Sequence, residues 1–96
     1  MGCRIIQVAV PDTDRFTLRL PKGSKILTLQ KNKKNEPRLF ILRSEGTVSI
    51  EERNFILVPT GSFINEMAEE LKYVGTFLSE GGRFNGPFFY HIFEIK

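Results

Sequence analysis

The run RFTLRL at residues 15–20 alternates strictly between polar and apolar side chains. Phe16, Leu18 and Leu20 point to one side of an extended chain, because successive side chains of a β-strand face opposite ways. The intervening Arg15, Thr17 and Arg19 point to the other side. The pattern therefore predicts a half-buried strand with a basic outer face.

On both sides of this run, β-strand signals recur along the chain between turn-forming residues. The polar stretch at residues 31–36 indicates a long hairpin tip, and residues 54–58 are apolar enough to be buried on both faces. The one helical candidate is 65–71, where Asn65 can cap the helix and Met67 and Leu71 share a face. Besides residues 15–20, the predicted strands are 4–10, 25–30, 38–43, 54–58, 73–78 and 88–95.

Six or seven short strands with turns every eight to twelve residues favour a mainly β fold. We expect a compact antiparallel β-sandwich or small barrel with one short helix. The 96 residues form a single domain, residues 1–96, since this length leaves no room for a second one.

The aromatic residues divide into two predicted groups. Five phenylalanines alternate with polar or small neighbours and are interpreted as core: Phe16, Phe40, Phe55, Phe77 and Phe93. Four more rings crowd the C-terminal third and exceed the needs of one small core, so some of them are expected at an interface or against a planar ligand. These are Phe84, Phe88, Phe89 and Tyr90.

Few groups suited to catalysis or metal binding are present. The chain has one His and one Cys, so one chain cannot assemble a structural zinc site of nitrogen and sulfur ligands. A nucleophilic triad would need His91 as its base, and no activating motif accompanies it. Glu51 and Glu52 are adjacent on a strand and face opposite ways, which argues against a shared proton. We expect no cofactor, no metal site and no catalytic residues; His91 is interpreted as a packed, hydrogen-bonded strand residue.

The compartment is expected to be the cytosol. A lone Cys3 is compatible with a reducing environment, no apolar run is long enough to span a bilayer, and residues 1–6 do not resemble a signal peptide.

Charge is segregated along the chain. Residues 15–43 contain nine basic residues and one acidic residue, whereas residues 44–82 contain two basic and seven acidic residues. A basic surface attracts anions, including phosphates and nucleic acids. For Lys31, Lys33 and Lys34 the simpler interpretation is a soluble hairpin tip that protects a sheet edge.

Four stretches taken together resemble a known family. They are LPKGSKILTLQ at 20–30, PTGS at 59–62, YVGTF at 73–77 and YHIFEI at 90–95. In this order they are similar to a family of small bacteriophage proteins, long left as a domain of unknown function, that includes the anti-CBASS 4 sponges. Those proteins sequester the cyclic dinucleotide signals, such as cGAMP, of bacterial antiviral immunity. At Ser62 the chain departs from its apparent relatives, which often have His there.

The resemblance implies a non-enzymatic, phage-encoded sponge acting in the host bacterial cytosol. A cyclic dinucleotide is pseudo-two-fold symmetric, so a homo-oligomer, dimer or tetramer, is the expected state. Hydroxyls of Thr60, Ser62 and Thr76 would hydrogen-bond the ligand and the ring of Tyr73 would stack on a base. Lys25 and Arg83 would contact the phosphates.

Other classes of function stay open at this point. Residues 15–43 could form a basic nucleic-acid-binding module, and the apolar C-terminal surface could dock a protein partner. An enzyme would be a cyclic-nucleotide phosphodiesterase that uses His91.

Overall fold

A computed structural model describes residues 2–46 and 48–96 of the chain. Seven strands form two antiparallel sheets, which confirms the predicted mainly β class. The sequence indicates a turn at 44–47, and Thr47 in that turn lies outside the described residues. The strands are β1 (Cys3–Ala9), β2 (Arg15–Pro21), β3 (Lys25–Lys31), β4 (Pro37–Ser44), β5 (Ile50–Pro59), β6 (Leu71–Ser79) and β7 (Phe88–Ile95).

The first sheet has three strands in the order β1-β4-β3, and the second has four in the order β2-β5-β7-β6. β3 and β4 form the predicted hairpin, with Lys31 opposite Pro37 and a tip at 32–36. Asn32 organises the tip, because its side-chain oxygen accepts from the backbone N–H groups of Lys34 and Glu36 at 2.9 and 3.0 Å. Asn35 has φ 66°, a conformation that Asn tolerates better than most residues.

The core lies between the facing surfaces of the two sheets. Leu39 and Ile41 of β4 are fully buried against Phe55 of β5 and Ile92 of β7. Phe16 stacks on Phe55 with ring centroids 5.0 Å apart, as the alternation of β2 requires. Burying each such side chain contributes about 1.5–3 kcal/mol, and these contacts hold the sheets together.

Two phenylalanines predicted as core lie elsewhere. Phe40 and Phe93 are half-buried on the outer faces of their sheets, because each alternates with inward-facing neighbours, such as Leu39 and Ile92. Phe84 and Tyr90, which the sequence assigned to the surplus rings, are buried in the core against Phe77.

The predicted helix at 65–71 is reduced to a single 3₁₀ turn at Ala68–Glu70. The turn begins after Met67, whose backbone N–H donates to the Glu70 carboxylate at 2.9 Å, so Asn65 is not the cap. Leu71 already belongs to β6. Fewer than two turns cannot form a stable helix alone, and the strand takes over the end of the segment.

The described residues contain no helix that is both long enough and apolar enough to cross a membrane.

Candidate binding site on the outer face of the four-stranded sheet

Four side chains form a continuous hydrogen-bonded row on the outer face of the second sheet. His91 is at its centre: Nε2 lies 2.6 Å from Thr60 Oγ1, and Nδ1 lies 2.8 Å from Thr76 Oγ1. Thr76 Oγ1 also lies 2.6 Å from the hydroxyl of Tyr73. We call this row of Thr60, His91, Thr76 and Tyr73 the polar chain.

A β-bulge in β6 brings the polar chain together. Tyr73 pairs with Phe93, but Gly75 pairs with Ile92, so Val74 is an extra residue in the ladder. Residues three apart in a regular strand face opposite sides. The bulge shifts the alternation by one, so Tyr73 and Thr76 both reach the outer face, and Thr76 comes to lie opposite His91.

The other members are placed by β7 and by the end of β5. His91 follows Phe89 and precedes Phe93 on the same face of β7, and its cross-strand partner on β5 is Val58. Thr60 is the first residue after β5, and its backbone N–H donates to the carbonyl of Phe89 at 3.0 Å. This backbone bond holds the Thr60 hydroxyl next to the imidazole.

The polar chain is adaptable in its hydrogen bonding. A neutral imidazole has one donor and one acceptor nitrogen, and each of its partners here is a hydroxyl that can act either way. The row can therefore reverse its direction and offer a donor or an acceptor at its Thr60 and Tyr73 ends. Among the described residues, no carboxylate hydrogen-bonds His91 as the third member of a catalytic triad would.

Exposed apolar side chains surround the polar chain. The Tyr73 ring packs edge-on against Phe93, with centroids 5.6 Å apart, and Tyr73 remains 58% exposed. Phe89 is 54% exposed on the same face. Rings with this much open surface can stack on a planar ligand while the hydroxyls bond its edge.

The six residues proposed from the sequence fall in different places. Thr60, Tyr73 and Thr76 meet in the polar chain. Ser62 is two residues beyond Thr60, in a turn where its N–H donates to the Pro59 carbonyl at 3.2 Å, and it lines a neighbouring groove of about 360 Å³. That groove runs under residues 62–66, which an ion pair between Arg15 and Glu66 ties to β2 at 2.8 Å.

The two proposed cations lie away from the polar chain. Lys25 is exposed at the start of β3, in the other sheet. Arg83 is in the loop between β6 and β7, where its guanidinium donates to the Val10 carbonyl at 3.0 Å and lies 5.4 Å from the centre of the Phe84 ring.

His91 belongs to the polar chain, although it was not among the six contacts proposed from the sequence. Its interpretation as a hydrogen-bonded strand residue holds, since both ring nitrogens have partners. Its position between Phe89 and Phe93 in an alternating strand was the available signal, because it places the imidazole on the same face as those two rings.

The fold and this face define a small two-sheet β protein with an open outer surface that is rich in aromatic rings and hydroxyls. A family model for a domain of unknown function, DUF7352, matches residues 1–96, and the chain belongs to that family. Neither a curated protein nor a solved structure matches the chain.

Proposed function

We propose that this protein is a phage-encoded sponge that binds and sequesters a cyclic dinucleotide signal without catalysis. It would act in the host bacterial cytosol and so block CBASS antiviral defence. The observation that supports this most directly is the polar chain, in which Thr60 and Thr76 bond His91 and Tyr73 bonds Thr76, beside open aromatic rings.

The surface suits the chemistry of such a ligand. Each base has a flat face for stacking and an edge that carries donors and acceptors. Stacking on an aromatic ring contributes about 1–3 kcal/mol per base, and Tyr73 and Phe89 both have exposed rings. The reversible polar chain can match the donor and acceptor pattern of a base edge.

The phosphates call for cations, and among the described residues the hydrogen bonds of the polar chain involve no lysine or arginine. Contacts from Lys25 and Arg83 therefore require a second copy of the protein, related by a two-fold axis. This requirement makes the homo-oligomer part of the proposal, because each half of a pseudo-symmetric ligand would then meet the same residues.

Isothermal titration calorimetry against a panel of cyclic dinucleotides tests the proposal. We expect binding that weakens several-fold to about tenfold in Thr76→Val, since a hydrogen bond contributes about 0.5–1.5 kcal/mol. Thr17→Val is the matched control: Thr17 Oγ1 also hydrogen-bonds a neighbouring side chain, Asn54 at 2.7 Å, but outside the polar chain. The absence of heat with every member of the panel would refute the sponge.

A basic nucleic-acid-binding module remains the second candidate, supported by the exposed lysines of the 15–43 stretch. The arginines of this stretch are held in ion pairs with acidic residues, as in Arg15–Glu66 and Arg19–Glu52. Binding through the lysines would weaken steeply with added salt. It would also be lost when Lys31, Lys33 and Lys34 are replaced by Ser, a change that would leave a sponge active.

A further inference from the structure

A second recess lies at the end of the sandwich, away from the polar chain. It is a groove of about 360 Å³ between the hairpin tip of β3 and β4 and the loop that joins β6 to β7. Its cations are Lys31, Lys34 and Arg83, and its apolar wall includes Phe77 and Phe84. We call it the hairpin groove.

Two of the three cations are fixed by bonds to backbone carbonyls, Lys31 across the groove and Arg83 to a residue outside its lining. Lys31 Nζ donates to the carbonyl of Leu78, which ties the hairpin to β6. Arg83 donates through Nη2 to the carbonyl of Val10 and lies over the Phe84 ring. A backbone carbonyl carries no net charge, so these two contacts do not neutralise the positive charges of Lys31 and Arg83.

The carboxylates of the hairpin groove are fewer than its cations. Glu36 accepts hydrogen bonds from the side chains of Asn32 at 2.9 Å and Arg38 at 3.4 Å, so its charge is shared with a cation outside the groove. Glu80 is the other carboxylate in the lining. The hairpin groove therefore has an excess of positive charge beside buried rings, where a low local dielectric strengthens attraction to an anion.

Glycines leave the backbone of the groove open. Gly81 and Gly82 line it with φ of 124° and 74°, and a Cβ atom added at either position would meet no atom within 4 Å. Side chains larger than hydrogen would be strained at these φ values. The Gly81 carbonyl accepts a hydrogen bond from Ser79 Oγ at 3.3 Å, so Gly82 supplies the open backbone beside the cations that the close approach of a phosphate group requires.

We infer that the hairpin groove binds a phosphate group through Lys34, Lys31 and Arg83. A phosphate fits because it is compact, doubly charged and able to accept several hydrogen bonds from cations at once. The groove is formed within one molecule and lies apart from the outer face that carries the polar chain. The groove shares Arg83 with the proposed sponge contacts, but its other two cations, Lys31 and Lys34, take no part in the sponge, so the inference does not depend on binding of a cyclic dinucleotide.

Titration with inorganic phosphate and pyrophosphate at constant ionic strength, followed by amide NMR, tests the inference. We expect saturable shifts at Lys34, Gly81 and Gly82, and no shift at Thr76 or His91. Lys34→Ala should weaken the binding about tenfold, the usual effect of losing one charge-assisted hydrogen bond. Glu80→Gln should tighten it, because a repelling carboxylate is removed.

Lys33→Ala is the matched control, since Lys33 belongs to the same tip but does not line the groove. It removes the same charge and should change the affinity by less than about twofold through screened long-range attraction. Equal losses in Lys33→Ala and Lys34→Ala, or shifts that never saturate, would overturn the inference. If the wild type and Thr76→Val bind phosphate with equal affinity, the hairpin groove is a site separate from the proposed sponge site.

Discussion

At the residue scale, Arg53 joins the two sheets at one end of the sandwich. Its guanidinium makes a two-point contact with Glu94 of β7, with Nη2 2.9 Å from Oε1 and Nε against Oε2. Nη1 donates to the Ser24 carbonyl, just before β3, at 2.7 Å. The bond to Glu94 raises the pKa of Arg53, so this residue stays charged.

Replacing Arg53 should destabilise the protein strongly. The Arg53 and Glu94 side chains are only 16% and 10% exposed, so Arg53→Met leaves a nearly buried carboxylate without its partner. We expect a loss of about 3–5 kcal/mol in the free energy of unfolding, measured in urea. Arg19→Met is the control, because its pair with Glu52 is exposed and contributes about 1 kcal/mol or less. Similar small losses of unfolding free energy in Arg53→Met and Arg19→Met would contradict a stabilising role for the Arg53–Glu94 pair.

The hairpin tip should weaken in acid. The hydrogen bond from Asn32, and then the one from Arg38, lower the pKa of Glu36 below its usual value. A lowered pKa means that the ionised carboxylate stabilises the fold above its usual pKa, and this contribution is lost as the pH falls through the lowered value. An NMR titration of Glu36 should show the low pKa, and Asn32→Ala should raise it. An unchanged pKa in that variant would show that Asn32 is not the cause.

At the element scale, the bulge in β6 determines the candidate site. A strict strand would put Tyr73 and Thr76 on opposite faces, and only the extra Val74 brings both to the outer face with His91. β3 carries a comparable irregularity between Ile26 and Thr28, with Leu27 as the extra residue. The two bulges lie in different sheets, so their effects can be separated.

Deletion of Val74 should leave the polar chain in place. It removes the extra residue of the bulge, so Tyr73 and Thr76 become two residues apart in a regular strand and still share the outer face. Deletion of Leu27 is the matched control, because it also removes a bulge residue but lies in the other sheet. We expect both deletions to cost about 1–3 kcal/mol in stability, and neither to alter the imidazole nitrogen shifts of His91 in NMR spectra. A change at His91 after Val74 deletion alone would contradict the register assigned to β6.

At the scale of the whole molecule, the two sheets approach most closely where β6 meets β3. A Cβ atom added to Gly75 would lie 2.7 Å from Cβ of Leu29, closer than real Cβ contacts allow. Glycine is required here for the approach of the two backbones, since no positive φ is recorded for Gly75. The contact brings β6, which carries Tyr73 and Thr76, against the first sheet.

Gly75→Ala should therefore destabilise the protein by about 1–3 kcal/mol, as overpacking does in other cores. In a double-mutant cycle, adding Leu29→Gly should cost less in the Gly75→Ala background than in the wild type, because it removes the Cβ atom that clashes. Gly2→Ala is the control, since its added Cβ meets nothing within 4 Å. Strict additivity of the two changes in chemical denaturation would contradict the close approach.

The strands were predictable because each is a local pattern. Alternation in residues 15–20 predicted β2 to within one residue, and the hairpin tip followed from its turn formers. The apolar run at 54–58 predicted only the second half of β5, which begins at Ile50. The helix at 65–71 was wrong in extent, because capping and periodicity over so few residues are weaker than the pairing of β6.

The candidate site was predictable only in part. Thr60, Tyr73 and Thr76 were named for their chemistry and as loop or strand-edge positions, and all three reach the polar chain. The separation of Lys25 and Arg83 from it was not visible in the sequence, because it depends on which sheet each strand joins and on where the last loop packs.

The sequence alone determined that this chain forms short antiparallel strands around an apolar core, since side-chain alternation is a property of neighbouring residues. Tertiary structure decided which faces became buried and where His91 found its two hydroxyl partners. A bulge, a sheet order and a close approach at glycine are set by packing between segments far apart in the chain, and these long-range contacts place the functional groups.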